Sequence, residues 1–437
     1  MSETYITCKY IISGARCDNI IKDGAILIEN GNIVAVGKEV DVKKLLSGHD
    51  RIDRSHHIAI PALVNGHTHL PETLLRGICD NKKLMTWLND YIWPFEHNMS
   101  FDDAYYGALL GCLELIESGI GGFIDQYFYT ESIEKAVKNA NIRALLCPSI
   151  FDNTPESGSL EKTWIYVSNL LQSKNHYNES LVKYGIGPHA PYTVPEEYLL
   201  KIRDLAAKLF LPIHIHLNET KKEVDEAIQN FGKSPIQYIH HLGLTKEKIL
   251  GAHCVHTSPK EWQIMKEQNI TVLHNPQSNL KMTSGIAPVY KYLELGINVV
   301  VGTDGNASNN DLGMLEELAT TAMLQKYLAN DPSVMDNAST LTLGSIQGLK
   351  AMNIESQGIS LNSIADLTLI SLEKSHSWPQ NNILSNVIYS SSSSDVTDLI
   401  INGKFIYQNK EHITLDKWSI IEKCSKISQR ILTDITK

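Results

Sequence analysis

Residues 61–70 read PALVNGHTHL, an apolar, strand-like run that ends in two histidines one residue apart, His67 and His69. In a β-strand residues i and i+2 share a face, so both imidazoles project toward one point. That geometry suits a metal ion, yet a His-x-His pair at a strand end also occurs as ordinary hydrogen-bonded surface or core histidine. The remaining apolar runs of the chain settle its context. HIAIPALVNGHTH is the first of eight between about residues 61 and 357, followed by GGFIDQYFY, RALLCPSIF, KYGIGPHAPY, PIHIHLNE, KILGAHCVH, ITVLHNPQSN and INVVVGTDG. Helix-like segments such as DDAYYGALLGCLELIESG, PEEYLLKIRDLAAKLF, SPKEWQIMKEQN and LGMLEELATTAMLQKYL lie between them, opened by Ser, Asp or Pro and closed by Gly or Asn. Eight β/α repeats predict an α/β fold of the (β/α)8 TIM-barrel type.

The flanks have a different rhythm. Residues 1–58 alternate short β-like runs with turns (YITCKYIISG, GAILIENGNIVAVG), and after residue 358 the β pattern returns in ADLTLISL and VTDLIINGKFIYQ. Neither flank has enough apolar residues for a core of its own. We therefore expect 1–58 and 358–437 to pair into one small composite sheet domain beside a barrel at 59–357, with KWSIIEKCSKISQRILTDI as a terminal helix. SSSSSD at 390–395 is too short to read as a linker.

Composition narrows the function classes. The 437 residues are 43% hydrophobic and 20% charged, with a formal charge of -10 and a pI of about 5.9. No basic block or aromatic-rich basic stripe appears, which argues against nucleic acid as partner and for a small-molecule substrate. No signal pattern opens the chain and no window approaches a membrane span, so a cytoplasmic, non-membrane protein is expected. The seven cysteines are odd in number and include no CxxC pair, which predicts reduced thiols.

In a TIM barrel the chemistry sits at the C-terminal rim of the strands. There the first run carries His67 and His69, the fourth His189, and the fifth His214 and His216 followed by Glu219. The sixth run ends at His253 and the eighth at Asp304. A purely structural barrel has no reason to gather imidazoles and carboxylates at one rim, so His67, His69, His216 and Asp304 are read together as a candidate site.

The strings PALVNGHTHL, GPHAPYTV, IHIHLNET, GAHCVH, HNPQSNLKM and VGTDGNASNN resemble the amidohydrolase superfamily. The branch they resemble is the metal-dependent aminohydrolases, which holds methylthioadenosine/S-adenosylhomocysteine deaminases and triazine hydrolases. The likeness spans the whole chain, and WLNDYIWPFE, ending at Glu96, is similar to the adenine-nucleoside members. The resemblance implies that His67, His69, His216 and Asp304 hold one Zn²⁺ per subunit, with Fe²⁺ or another divalent ion left open. KYGIGPHAPY has no lysine at its C-terminal end to bridge a second ion. It further implies deamination of the adenine ring of an adenosine derivative. Glu219 would pass a proton to N1, His253 would orient the attacking water, and Asp304 would carry protons toward the leaving amine. Glu96 and His189 would contact the nucleoside. A homo-oligomer is expected by the same resemblance. A triazine-type hydrolase using the same metal site and Glu219 stands as the alternative, and a non-catalytic binding barrel as a third.

His214 is read as a supporting residue of the barrel interior, His56, His57, His240, His241 and His256 as structural or surface, and Trp87 and Trp93 as core, with the pocket wall as the alternative. Relatives that accept S-adenosylhomocysteine are expected to clamp its carboxylate with arginines after the third strand. Here that stretch, RALLCPSIFDNTPESGSLEKTW, has Arg143 at the wrong end and Lys162 on a helix surface. A substrate with a small or uncharged 5′ group is therefore expected, unless an arginine from another loop, such as Arg76, supplies the clamp.

Overall fold

All eight runs form strands in the computed structural model, which describes residues 3–45, 51–82, 84–174 and 180–435. They span Leu63–Thr68, Ile120–Tyr127, Arg143–Ile150, Val182–Tyr184 with Gly187–Pro188, Ile213–Leu217, Ile249–His253, Thr271–His274 and Val299–Val301. Neighbours pair in parallel, and an Ile186–Ile213 bridge joins the fourth strand to the fifth. The ring closes where the Asp304 amide donates to the His67 carbonyl at 2.9 Å. At that seam a Cβ on Gly302 would collide with the His67 backbone nitrogen, so only glycine lets the eighth strand approach the first.

Alternation along the strands sorts side chains between two cores. Val64, Ile124, Leu145, Leu250, Leu273 and Val300 pack in one cluster with Leu349 and Met352. Leu63, Phe123, Ala144, Ile213, Ile215, Ile249, Val272, Val299 and Val301 join the larger cluster that includes the surrounding helices. On the fifth strand this phase turns His214 and His216 inward. The first strand departs from strict alternation. Between Asn65 and Thr68 two residues, Gly66 and His67, oppose one on the second strand, Ile124, which lies between Phe123 and Asp125. This bulge shifts the phase after Val64 and aims His67 and His69 at the barrel mouth.

The expected helices form over Phe101–Glu117, Glu196–Leu209, Pro259–Glu267, Met314–Ala329 and Lys417–Ile435. Capping boxes at Ser100 with Asp103 and at Ser258 with Glu261 start two of them, each satisfying two otherwise free N–H groups.

Both chain ends contribute to one eight-stranded sheet. Its order is Glu411–His412, Lys404–Gln408, Val396–Ile401, Leu367–Ser371, Arg51–Pro61, Glu3–Ser13, Asn19–Glu29 and Asn32–Lys38. The two ends meet where Leu367–Ser371 runs antiparallel to Arg51–Pro61. Arg54 spans this joint with a two-pronged bond to buried Asp398, at 2.7 and 2.9 Å. Arg143 ties the barrel to the sheet through Asp366. Ser392 and Asp395 form a capping box, and Ser393 bonds Glu316, so the serine run is ordered structure. Among the described residues no helix is long and apolar enough to cross a membrane, and all seven cysteines are free thiols.

Candidate active site

Neighbouring strands fix the orientation of each histidine at the barrel mouth. His69 places Nδ1 2.6 Å from the Gln126 carbonyl, and His216 places Nδ1 2.8 Å from the His189 carbonyl. A carbonyl only accepts, so both rings carry their proton on Nδ1 and turn the Nε2 lone pair into the site. His253 is set the same way by Asn279 Oδ1 at 2.9 Å. His67 Nδ1 lies 2.8 Å from His214 Nε2 in the barrel interior, and both rings are fully buried.

These rings meet around one point. Asp304 Oδ1 stands 3.3 Å from His67 Nε2 and 3.2 Å from His69 Nε2. Ser278 Oγ and Ser308 Oγ donate to its other oxygen at 2.6 and 3.1 Å. The His216 ring centre lies 5.0 Å from that of His67 and 5.4 Å from those of His69 and His253. Candidate ligand atoms of His67, His216 and His253, and those of His67, His69 and Asp304, lie within 4.8 Å of one another. His67 Nε2 is buried and makes no hydrogen bond, an arrangement whose missing partner a cation supplies. Burial pushes the His67 imidazole down to about 4 and holds His216 well below its ordinary value, which keeps both neutral and able to ligate. The donor set of several imidazoles and one carboxylate fits a divalent ion of zinc type.

Glu219 follows the fifth strand through Asn218, whose φ of 52° turns the chain into the mouth. Its Oε1 accepts from Ser284 Oγ at 3.0 Å and its Oε2 lies 3.8 Å from His253 Nε2. His253 and Asp304, both with φ of 69°, also occupy the left-handed region that non-glycine residues avoid. Such strain gathers where a side chain must be aimed rather than merely packed.

A cavity opens above this cluster. Its walls include Glu72, Trp87, Trp93, Glu96, Ser149, Phe151, His189, Tyr192, Glu219 and Ser308. His189 Nδ1 lies 3.0 Å from Thr193 Oγ1, whose own proton goes to the Ala190 carbonyl. The ring therefore donates there and keeps Nε2 as an acceptor. Glu96 is buried, and that burial pushes its carboxyl up to about 7.

Every residue singled out from the sequence for the site thus lies at this mouth, with His214 immediately beneath it. His56, His57, His240, His241 and His256 do not line the cavity; His240 and His256, for example, bond Thr245 and the Ser284 carbonyl. Trp87 is buried in the larger core cluster, as expected, and also lines the cavity. Trp93 is half-buried in the cavity wall, so the core expectation is corrected for it alone. Arg76 is excluded as a clamp, since it pairs with Glu114 and donates to the Asn310 carbonyl. Arg143 is spent on Asp366 and Lys162 is exposed on its helix. Among the described residues no lysine or arginine lines the cavity.

Two acidic residues escaped the sequence reading. Asp125 accepts from Thr68 Oγ1 and the Leu70 amide, both at 2.7 Å, and so holds the turn that follows His69. Glu72, three residues beyond His69, is buried in the cavity wall, where burial, with Glu96 and Asp304 nearby, pushes it up to about 8. A carboxylate inside the apolar-looking run LPETLL was the signal available for it.

The amidohydrolase family model matches residues 58–406. The chain is 40% identical over 407 residues to a 5′-deoxyadenosine deaminase of Methanocaldococcus jannaschii, covering 92% of this chain and 95% of that protein. It is 36% identical over 424 residues to a 5-methylthioadenosine/S-adenosylhomocysteine deaminase of Thermoanaerobacter pseudethanolicus, covering 94% and 97%. The crystal structure of an adenosine deaminase from Xanthomonas campestris with bound zinc superposes with a TM-score of 0.95 at 31% identity, over 98% of each chain. The protein belongs to the amidohydrolase family. It is a hydrolytic enzyme with a histidine-rich metal site at the mouth of its barrel.

Proposed function

We propose that the protein hydrolyses the 6-amino group of an adenosine derivative, releasing ammonia and the corresponding inosine derivative. One observation carries this reading: Glu219 and His253 stand together at the edge of the imidazole–Asp304 cluster, inside a cavity whose wall also holds Glu96. The deaminase names of the relatives support the same chemistry. His67, His69, His216 and Asp304 would hold a single divalent ion, with zinc favoured by the donor set and Fe²⁺ as the alternative. When bound, such an ion supplies Lewis acidity and a water acidic enough to act as a nucleophile near neutral pH.

The protein's own groups do the rest. His253 Nε2, its Nδ1–H committed to Asn279, accepts a hydrogen bond from the attacking water and aims it at C6. Glu219 takes the proton released on attack and delivers it to ring N1, breaking the aromatic C6–N1 double bond as the new C–O bond forms. Asp304, a carboxylate oriented by Ser278 and Ser308, takes the remaining proton from the hydroxyl added at C6 and passes it to the amine, so the C6–O bond becomes a carbonyl as the C6–N bond breaks and ammonia leaves. Glu96 accepts from the ribose hydroxyls, and His189 Nε2 from another nucleoside donor.

With no lysine or arginine on the cavity wall among the described residues, a 5′ carboxylate would be buried unpaired, a loss of several kcal/mol. We therefore place 5′-deoxyadenosine, methylthioadenosine and adenosine ahead of S-adenosylhomocysteine. Ammonia release from a panel of adenine nucleosides tests the reading, and silence across the whole panel overturns it.

A further inference from the structure

Glu219 stands in the short step between the fifth barrel strand, Ile213–Leu217, and the helix Lys221–Phe231. The chain turns there at the left-handed Asn218, whose side chain is held on three sides. Its Nδ2 donates to Glu261 Oε1 at 2.7 Å and to the His256 carbonyl at 2.8 Å, and its Oδ1 accepts from the Ile236 amide at 3.2 Å. Asn218 is thereby fixed, but none of these bonds reaches Glu219. The residue that does is Glu223, the third of the helix, which the reaction above does not use.

Glu223 reaches back over the turn. Its Oε1 accepts from the Asn218 amide at 3.2 Å and its Oε2 from the Glu219 amide at 2.7 Å, while its own amide donates to Thr220 Oγ1 at 3.1 Å. In a capping box the third helical residue would return its carboxylate to the amide of the capping residue, here Thr220. Glu223 reaches one and two residues further and grips the two N–H groups that a left-handed turn brings together as a small concavity for an anion. It does not line the active-site cavity. Glu219 is thus held twice, through its backbone by Glu223 and through Oε1 by Ser284, which leaves Oε2 on the side of His253 to carry the proton. We infer that Glu223 is a positioning residue of the reaction, which aims Glu219 between the attacking water and N1 of the base. The inference rests on the proposed reading, because only a proton carrier must be aimed this closely. Proton transfer needs partners at hydrogen-bond distance, and a misplacement of about 1 Å can cost roughly 10²-fold in rate.

The test is a double-mutant cycle between Glu223→Gln and Glu219→Gln, read on kcat and KM with the adenine nucleoside that the wild type turns over fastest. Glutamine keeps the length of Glu223 but turns an N–H toward one of the two amides it must accept from. E223Q alone should lower kcat roughly tenfold or more, with KM and metal content unchanged. In the E219Q background the same substitution should change kcat less than about twofold, because no proton carrier is left to misaim. A general loosening of the barrel mouth would be felt in both backgrounds. Glu223→Asp, one carbon too short to span both amides, gives the same cycle should E223Q fail to fold. An equal fall in both backgrounds, a rise in KM in place of the fall in kcat, or an unchanged kcat overturns the positioning role and leaves the deaminase reading intact. An E219Q enzyme as fast as the wild type removes the role of Glu219 and this inference with it, and a wild type inactive on adenine nucleosides overturns both.

Discussion

Replacing His214 by leucine should weaken metal binding without weakening the fold. His67 can offer Nε2 to a cation only with its proton on Nδ1, and the acceptor for that proton is His214 Nε2, 2.8 Å away between two fully buried rings. Leucine accepts nothing, so the metal-competent tautomer of His67 would bury an unpaired N–H. An orphaned buried donor costs about 1–3 kcal/mol. At about 1.4 kcal/mol per decade, the metal dissociation constant should rise roughly 5- to 140-fold, in keeping with what partners behind metal ligands usually contribute. The metal-free protein escapes this penalty, because its His67 proton can move to Nε2, which lies 3.3 Å from Asp304 Oδ1. His214 Nδ1 is itself buried without a partner, so removing the imidazole also removes an orphan. Chelator competition gives the metal affinity, and thermal melting of the chelated protein gives the stability of the fold. His214→Gln, which restores an acceptor oxygen, should recover part of the affinity. Unchanged affinity in H214L, or a loss matched by an equal fall in the metal-free melting temperature, would refute the tautomer argument.

Three further outcomes can be checked on the same preparations. Purified protein should carry about one ion per chain, and His216→Ala should lose both ion and activity; two tightly held ions per chain would rule out the single-site scheme. Glu219→Gln should keep the ion while lowering kcat roughly 10²-fold or more, since it removes a proton carrier and no ligand; loss of the ion would mean that the role is misassigned. Methylthioadenosine should exceed S-adenosylhomocysteine in kcat/KM, because Arg76, Arg143 and Lys162 are all placed away from the cavity; the reverse order would require a carboxylate clamp elsewhere in the chain.

The sequence by itself determined the repeating architecture, since strand and helix periodicities are properties of residues a few positions apart. The eight apolar runs, the helix-opening Ser258 and the return of β rhythm after residue 358 could all be read in this way. Placement of His67, His69, His216, Glu219, His253 and Asp304 at one rim was readable for the same reason, because each ends a run. Only the tertiary structure decided what these groups face. The phase that aims His67 comes from a bulge opposite Phe123–Asp125, and the tautomers of His69 and His216 come from the carbonyls of Gln126 and His189 on neighbouring strands. Trp93 looks like a core residue in its own segment and stands half-buried in the cavity wall, whereas Trp87 serves both the core and the cavity. Arg76 looks available until Glu114, 38 residues away, engages it. Glu72 becomes a buried acid only when Gly305, more than half the chain away, supplies a surface without a Cβ. Burial, tautomer and ion pairing are set by contacts between distant segments, and no local pattern records which segments will meet.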